Sequence, residues 1–364
     1  MPPNTTIHAE QINLSDDSWI DQIINSTPYI DVEVSSAELF DGAWRVVSSV
    51  FPTWKREELK FVQCKDGITN QLVRVTETNI KKSVLVRAYG KGSERIIDRR
   101  QEIINIITLS NQNLGPPLYA RFKNGLIYGF IEGRVSQVDD LGKLDMAKRI
   151  ATRLAQWHKV EIPTNKRDQK LWKTMRGWLK QVPNKYAHPK TQATFEKRFD
   201  MKHIANELEN LIEHLESLNS PIVFSHNDLL YGNIIFDDEK DEAHFIDYEY
   251  GCYAFRGFDI GNHFNEHCGF ECDYSKYPNK EFQYQWLEYY LQSHNNGEKP
   301  TLKEIDQLYK EVDGFSLASH FYWGLWAMVQ AMVSDIDFDY MEYAVLRFDE
   351  YDKRKEQTLK DLAI

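Results

Sequence analysis

The rhythm of hydrophobic and polar positions changes once along the chain. Up to about residue 131 the apolar residues come in short runs rich in β-branched and aromatic side chains: Phe61–Cys64, Gln71–Glu77, Ser83–Tyr89, Leu118–Phe122 and Leu126–Ile131. Such runs, bounded by Gly, Asn and Asp, predict strands. Lys123-Asn124-Gly125 predicts a hairpin turn, and Lys65–Asn70 a turn between the first two strands. Gly90, Gly92 and Ser93 mark a turn before a helix over Glu94–Leu109, where Ile96, Ile97, Ile103, Ile104 and Ile107 keep near-helical spacing. After Gly133 the period is mostly helical, over Leu144–Lys159, Phe195–Leu218, Glu281–Gln292 and Leu302–Met332, with a β-containing insert at Ile222–Ile246. The expectation is an α+β chain in three parts. Residues 1–35 are a polar lead-in of open order, 36–131 a small β-rich N-terminal lobe, and 132–364 a large, mainly helical C-terminal lobe.

Composition narrows the classes. Hydrophobic residues make up 42% and charged residues 27% of the 364 positions, which is globular material. A net charge of −11 argues against nucleic acid or an anionic membrane as partner. Met1–Thr27 carries no apolar signal core, and Phe321–Val329 is too short to span a bilayer. Cys64, Cys252, Cys268 and Cys272 include no CxxC pair, so a reducing, cytoplasmic setting is expected. A homodimer is left open.

The candidate chemistry lies in Ser225-His226-Asn227-Asp228-Leu229-Leu230-Tyr231-Gly232-Asn233, followed by Phe245-Ile246-Asp247. Phosphoryl transfer needs a carboxylate to orient the attacking hydroxyl and accept its proton, and oxygen ligands to hold a metal on the phosphates. Asp228, Asn233 and Asp247 supply that set at kinase-like spacing, and Mg²⁺ accepts such hard ligands. Arg87 on the third strand stands where a kinase places its phosphate-binding cation, and Glu102 where its carboxylate partner would sit. Thr69 and Asn70 lie in a turn that could cover phosphates. Asp247-Tyr248-Glu249 replaces DFG and no APE motif is present, so the acceptor is expected not to be a protein.

The chain resembles the choline/ethanolamine kinase family over roughly residues 60–355. The resemblance rests on His226-Asn227-Asp228-Leu229-Leu230, Phe245-Ile246-Asp247-Tyr248-Glu249-Tyr250, the run from Phe258 to Glu266 (FDIGNHFNE) and the run from Ala318 to Trp326 (ASHFYWGLW). It implies a protein-kinase-like two-lobe fold and transfer of phosphate from ATP to an amino alcohol. Asp228 is then the base, and Asn233 and Asp247 bind Mg²⁺. Arg87, supported by Glu102, holds phosphates, and the Gly129-Phe130-Ile131 connector reads adenine through its backbone. Tyr250, Trp323, Trp326 and Tyr343 form an aromatic cage for the substrate cation, with Glu249 and Phe338 beside it. Asp259 and Glu266 belong to the scaffold or the acceptor site.

Ethanolamine is the favoured acceptor, on branch resemblance in FIDYEYG and in Cys272–Pro278. Choline kinase, or dual activity, is the alternative. Other classes leave weaker signals. His263-x3-His267-Cys268-x3-Cys272 has zinc-ligand types at helical spacing, although adjacent His267 and Cys268 suit a tetrahedral site poorly. A nucleotide- or amine-sensing module without turnover, and an aminoglycoside phosphotransferase, complete the alternatives.

Overall fold

A computed structural model describes residues 18–64, 70–90, 97–162, 167–334 and 336–362. The chain divides into two units: one extends to Glu132 and takes in Glu161 and Ile162, and the other comprises Gly133–Val160 and Arg167 onward.

The first unit opens with α1 (Ser18–Ser26) and β1 (Tyr29–Ile30), so part of the polar lead-in is regular structure. After α2 (Leu39–Val50) come β2 (Leu59–Cys64), β3 (Asn70–Glu77), β4 (Lys82–Tyr89), α3 (Arg99–Asn111), β5 (Leu118–Phe122) and β6 (Gly125–Gly129). The strands form a sheet in the order β1-β5-β6-β4-β3-β2. β1 runs parallel to β5, and the other pairings are antiparallel. The two periodicities meet in the core. Alternate residues Val73, Val75, Val84 and Val86 pack with Ala43, Val46 and Val47, which lie one helical turn apart on α2.

Two element ends differ from the expectation. The helix over Glu94–Leu109 begins only at Arg99, because Asp98 caps it: its carboxylate accepts from the N–H groups of Arg100 and Gln101, both at 3.1 Å. Gly92, Ser93 and the positions up to Ile96 lie outside the described residues, as do Lys65–Thr69 of the first turn. The last strand stops at Gly129 and leaves Phe130 and Ile131 beyond it.

The second unit begins with β7 (Arg134–Val135), α4 (Val138–Leu141), α5 (Leu144–Trp157), α6 (Leu171–Gln181), α7 (Pro189–Arg198) and α8 (Met201–Glu216). The single helix expected over Phe195–Leu218 is two. Asp200 interrupts it by capping α8 through Lys202 N and His203 N, which extended backbone at Phe199 allows. Next come β8 (Ile222–Ser225), β9 (Ile234–Asp237), β10 (Glu242–Phe245), β11 (Cys252–Phe255) and α9 (Arg256–Asn265). β8 pairs with β11, and β9 with β10 and β7, all antiparallel. The unit closes with α10 (Lys280–His294), α11 (Leu302–Val333) and α12 (Tyr340–Leu362). α4, α6, α9 and α12 have no counterpart among the helices expected from the sequence.

α11 starts in a reciprocal cap, Thr301 Oγ1 accepting from Glu304 N while Glu304 Oε2 accepts from Thr301 N. From Gly314 to Gln330 every residue is buried, so the apolar run that looked membrane-like is a core helix covered on all sides. Among the described residues no helix is long and apolar enough to cross a membrane. α9 packs on α11 through Gly261, where a Cβ would meet Val312 O at 2.8 Å and Ser316 N at 2.9 Å.

Candidate active site

His226–Asn233 is a loop tethered at both ends, by β8 before it and β9 after it. Asp259, in the first turn of α9, gathers its N-terminal end. Its carboxylate accepts from His226 N and Asn227 N, each at 2.7 Å, and from His158 Nε2 at 3.0 Å. Burial alone would raise the Asp259 pKa, but the hydrogen bond from His158 and the contacts with His158 and His226 hold it below the usual carboxylate range. Burial pushes the His158 pKa below the ordinary imidazole value, which favours the neutral ring. Its Nε2–H donates to Asp259 and its Nδ1 accepts from the Tyr290 hydroxyl at 2.7 Å.

His226 braces the two loops against each other. Burial also pushes its pKa below the ordinary imidazole value. Its Nε2–H donates to Ile246 O at 2.9 Å, and its Nδ1 accepts from Asp228 N at 3.3 Å. Ile246 N donates to Asn233 O at 3.0 Å. The structure therefore brings Asp228, Asn233 and the turn at Asp247 together. Asn227 and Asp247 both adopt left-handed backbone, φ 65° and 64°. Asn and Asp tolerate this region better than most residues, and non-glycine residues there concentrate at functional sites.

The side-chain amide of Asn233 donates to Asp228 O at 2.8 Å and to Asp228 Oδ2 at 3.0 Å. Its Oδ1 makes no hydrogen bond to the described residues, so the amide presents an oxygen rather than a donor. Asp228 is buried, and burial, followed by the charges of Asp247, Glu266 and Glu249, pushes its pKa well above the ordinary carboxylate value. An anion-rich pocket of this kind favours cationic partners. The hard oxygen donors of Asn233 and Asp247 match the ligand chemistry of Mg²⁺.

Tyr250, Trp323 and Trp326 make a wall of rings that meet edge to face. Ring centroids lie 5.4 Å apart for Tyr250–Trp323 and 5.3 Å for Trp323–Trp326, and Trp326 Nε1 donates to the Tyr250 hydroxyl at 2.9 Å. The contacts continue from Trp326 through Tyr340 and Phe338 to Tyr343. Phe338 also meets Phe270, which meets Tyr231 in the Asp228 loop. The aromatic arc thus leaves the loop and returns three residues after Asp247. Sequence reasoning named Tyr250, Trp323, Trp326, Tyr343 and Phe338 but missed Tyr231, Tyr340 and Phe270 as members of the arc, because only the fold sets them apart from core aromatics. It also missed His158 and Arg347. Buried Arg347 donates to Tyr343 Oη at 3.2 Å and pairs with Glu266 at 3.4 Å.

The residues of the zinc-like cluster have other uses. His263 donates through Nδ1 to Leu229 O at 2.9 Å, burial pushes its pKa down to about 4, and the His267 ring packs on Phe282 and Phe264.

In the first unit Arg87 Nη1 meets Glu102 Oε1 at 3.1 Å, and Arg99 Nη1 meets Glu102 Oε2 at 3.0 Å. The Glu102 side chain is 0% exposed, and two guanidinium groups offset the cost of burying its charge. Thr69 lies outside the described residues; Asn70 opens β3 opposite Tyr89. Phe130 donates its N–H to Ser83 O at 3.4 Å and carries the Arg74 guanidinium 3.8 Å above its ring, and half-buried Ile131 follows.

The choline/ethanolamine kinase family model matches residues 61–352. The "probable ethanolamine kinase A" of Dictyostelium discoideum is 47% identical over 311 residues, covering 84% of this chain and 88% of that protein. Human ethanolamine kinase 2 is 40% identical over 331 residues, covering 90% and 84%. The structure of a Plasmodium vivax ethanolamine kinase superposes with a TM-score of 0.79 at 28% identity, covering 94% and 95%. A protein-kinase-like architecture, the Asp228 loop and this similarity along most of the chain make it a member of the choline/ethanolamine kinase family.

Proposed function

We propose that the chain transfers the γ-phosphoryl group of ATP to the hydroxyl of ethanolamine, the first step of the CDP-ethanolamine route to phosphatidylethanolamine. The observation that carries this reading is the buried Asp228 carboxylate, clipped by Asn233 beside Asp247. Asp228 orients the acceptor hydroxyl and accepts its proton as the new O–P bond forms and the bond to the β,γ-bridging oxygen breaks, releasing ADP. Asn233 and Asp247 would hold Mg²⁺, which when bound neutralises phosphate charge. Arg87, positioned by Glu102, binds phosphates, and the Phe130–Ile131 backbone reads adenine.

Tyr250, Trp323, Trp326 and Tyr343 receive the ammonium, because aromatic faces attract a desolvated cation. Ethanolamine is favoured over choline for two reasons. Its curated relatives carry that name. A primary ammonium also brings three N–H donors that need acceptors, and the carboxyl groups of buried Glu249 and Glu266 lie within electrostatic reach of Asp228. A cytoplasmic setting accords with the cysteine usage.

The test is ADP release with Mg·ATP, comparing ethanolamine and choline across concentration. A higher kcat/KM for ethanolamine supports the reading. A higher value for choline transfers the chain to phosphocholine synthesis. Turnover of neither overturns the acceptor assignment.

A further inference from the structure

Asn262 sits in the middle of α9, 0% exposed, and has no place in the chemistry above. Its side chain makes three hydrogen bonds. Nδ2 donates to Asn227 O at 3.3 Å, and Oδ1 accepts from Trp323 Nε1 at 2.7 Å and from Ser319 Oγ at 2.8 Å. The amide orientation follows from the partners: an indole nitrogen only donates and a main-chain carbonyl only accepts. Ser319 Oγ in turn accepts from Arg347 Nη2 at 2.9 Å, and Arg347 donates to Tyr343 Oη. One buried amide therefore links the residue before Asp228 to two walls of the aromatic arc, Trp323 directly and Tyr343 through Ser319 and Arg347.

We infer that Asn262 is a positioning residue for phosphoryl transfer, holding the wall that receives the substrate cation in register with the loop that carries Asp228. The inference rests on the acceptor and base roles proposed above. The reason for such a link is geometric. In an amino alcohol the cation and the hydroxyl are two carbons apart. Fixing the cation against Trp323 fixes the hydroxyl, and it meets Asp228 only if loop and wall do not drift apart. A misplacement of about 1 Å costs as much as a hundredfold in rate. Asn227 has strained left-handed backbone, φ 65°, so its carbonyl direction depends on external bonds of this kind.

The test uses the full chain with Asn262→Leu, which is close in shape and makes none of the three bonds. The expected result is a kcat lower by about tenfold or more, with the KM for Mg·ATP within about twofold of the parent. Trp323→Phe keeps an aromatic face but lacks the indole N–H, and its kcat should fall in the same sense. The double variant should be no slower than Asn262→Leu alone, because both changes cut one link. A lowered Tm with parental kcat in Asn262→Leu overturns the inference. So do fully multiplicative kcat losses in the double variant. If Asn262→Leu does not fold, Trp323→Phe and Ser319→Ala decide, and parental kcat in both overturns it. Asp228→Asn separates the two levels. If it keeps the parental kcat, the reading of the site fails; if its kcat collapses while Asn262→Leu only lowers Tm, only the positioning role fails.

Discussion

Asn233 holds Asp228 twice, once by its main-chain carbonyl and once by its carboxylate, through a single side-chain amide. One residue thus sets both the backbone turn and the direction in which the carboxylate points, while its side-chain oxygen Oδ1 makes no hydrogen bond to the described residues.

Asp228→Asn is expected to lower kcat by about 10²–10⁴-fold, the usual contribution of a positioned acid–base group, with little change in ATP affinity. Steady-state ADP release and nucleotide titration check this. Parental kcat would remove Asp228 from the role of base.

Trp326→Ala should raise the KM for the amino alcohol by about thirtyfold, the equivalent of ~2 kcal/mol for a desolvated cation on an aromatic face. The variant also frees the Tyr250 hydroxyl from its indole donor. If Tm falls while the KM for the amine is unchanged, Trp326 is core packing only.

Arg87→Ala leaves the buried Glu102 with Arg99 alone, and breaking a buried pair costs about 3–5 kcal/mol. A double variant, Arg87→Met with Glu102→Leu, should recover much of the lost Tm but keep a KM for ATP raised by at least about tenfold. Recovery of both would mean the pair is structural.

The Asp259 pKa is depressed in the folded chain. Its contribution to stability is therefore complete above the carboxylate's unfolded value of about 3.9 and is lost as pH falls through the lower folded value. Asp259→Asn should lower Tm at neutral pH and make Tm less sensitive to acid below about pH 4. Thermal melts of both proteins across that window measure it, and parallel acid limbs would refute the assignment.

Gly261→Ala sets a methyl against backbone atoms of α11 that cannot rotate away. Overpacking of this kind costs about 1–3 kcal/mol. Because α9 also carries Asp259 and Asn262, kcat and Tm should fall together.

Much of the chain was legible before folding. Valines alternating along β3 and β4 and apolar residues at helical spacing announce faces, because the two backbone periods dictate which side chains share a side. The Asp228, Asn233 and Asp247 motif was legible because its chemistry needs those groups at short separations along the chain. The Asp98 and Asp200 caps were not read, since an Asp inside a helical pattern declares itself a cap only when the backbone before it is extended. Tertiary structure alone decided the rest. Asp259 and His158 lie 101 residues apart, and Asn262 and Trp323 lie 61 apart. Whether a buried polar side chain is a hub or a burden depends on which partners the packing of α9 against α11 and the Asp228 loop delivers. The same holds for the aromatics: hydrophobicity drives Tyr340 and Phe270 inward, and only the long-range fold sets them in the arc that begins in the Asp228 loop and ends three residues after Asp247.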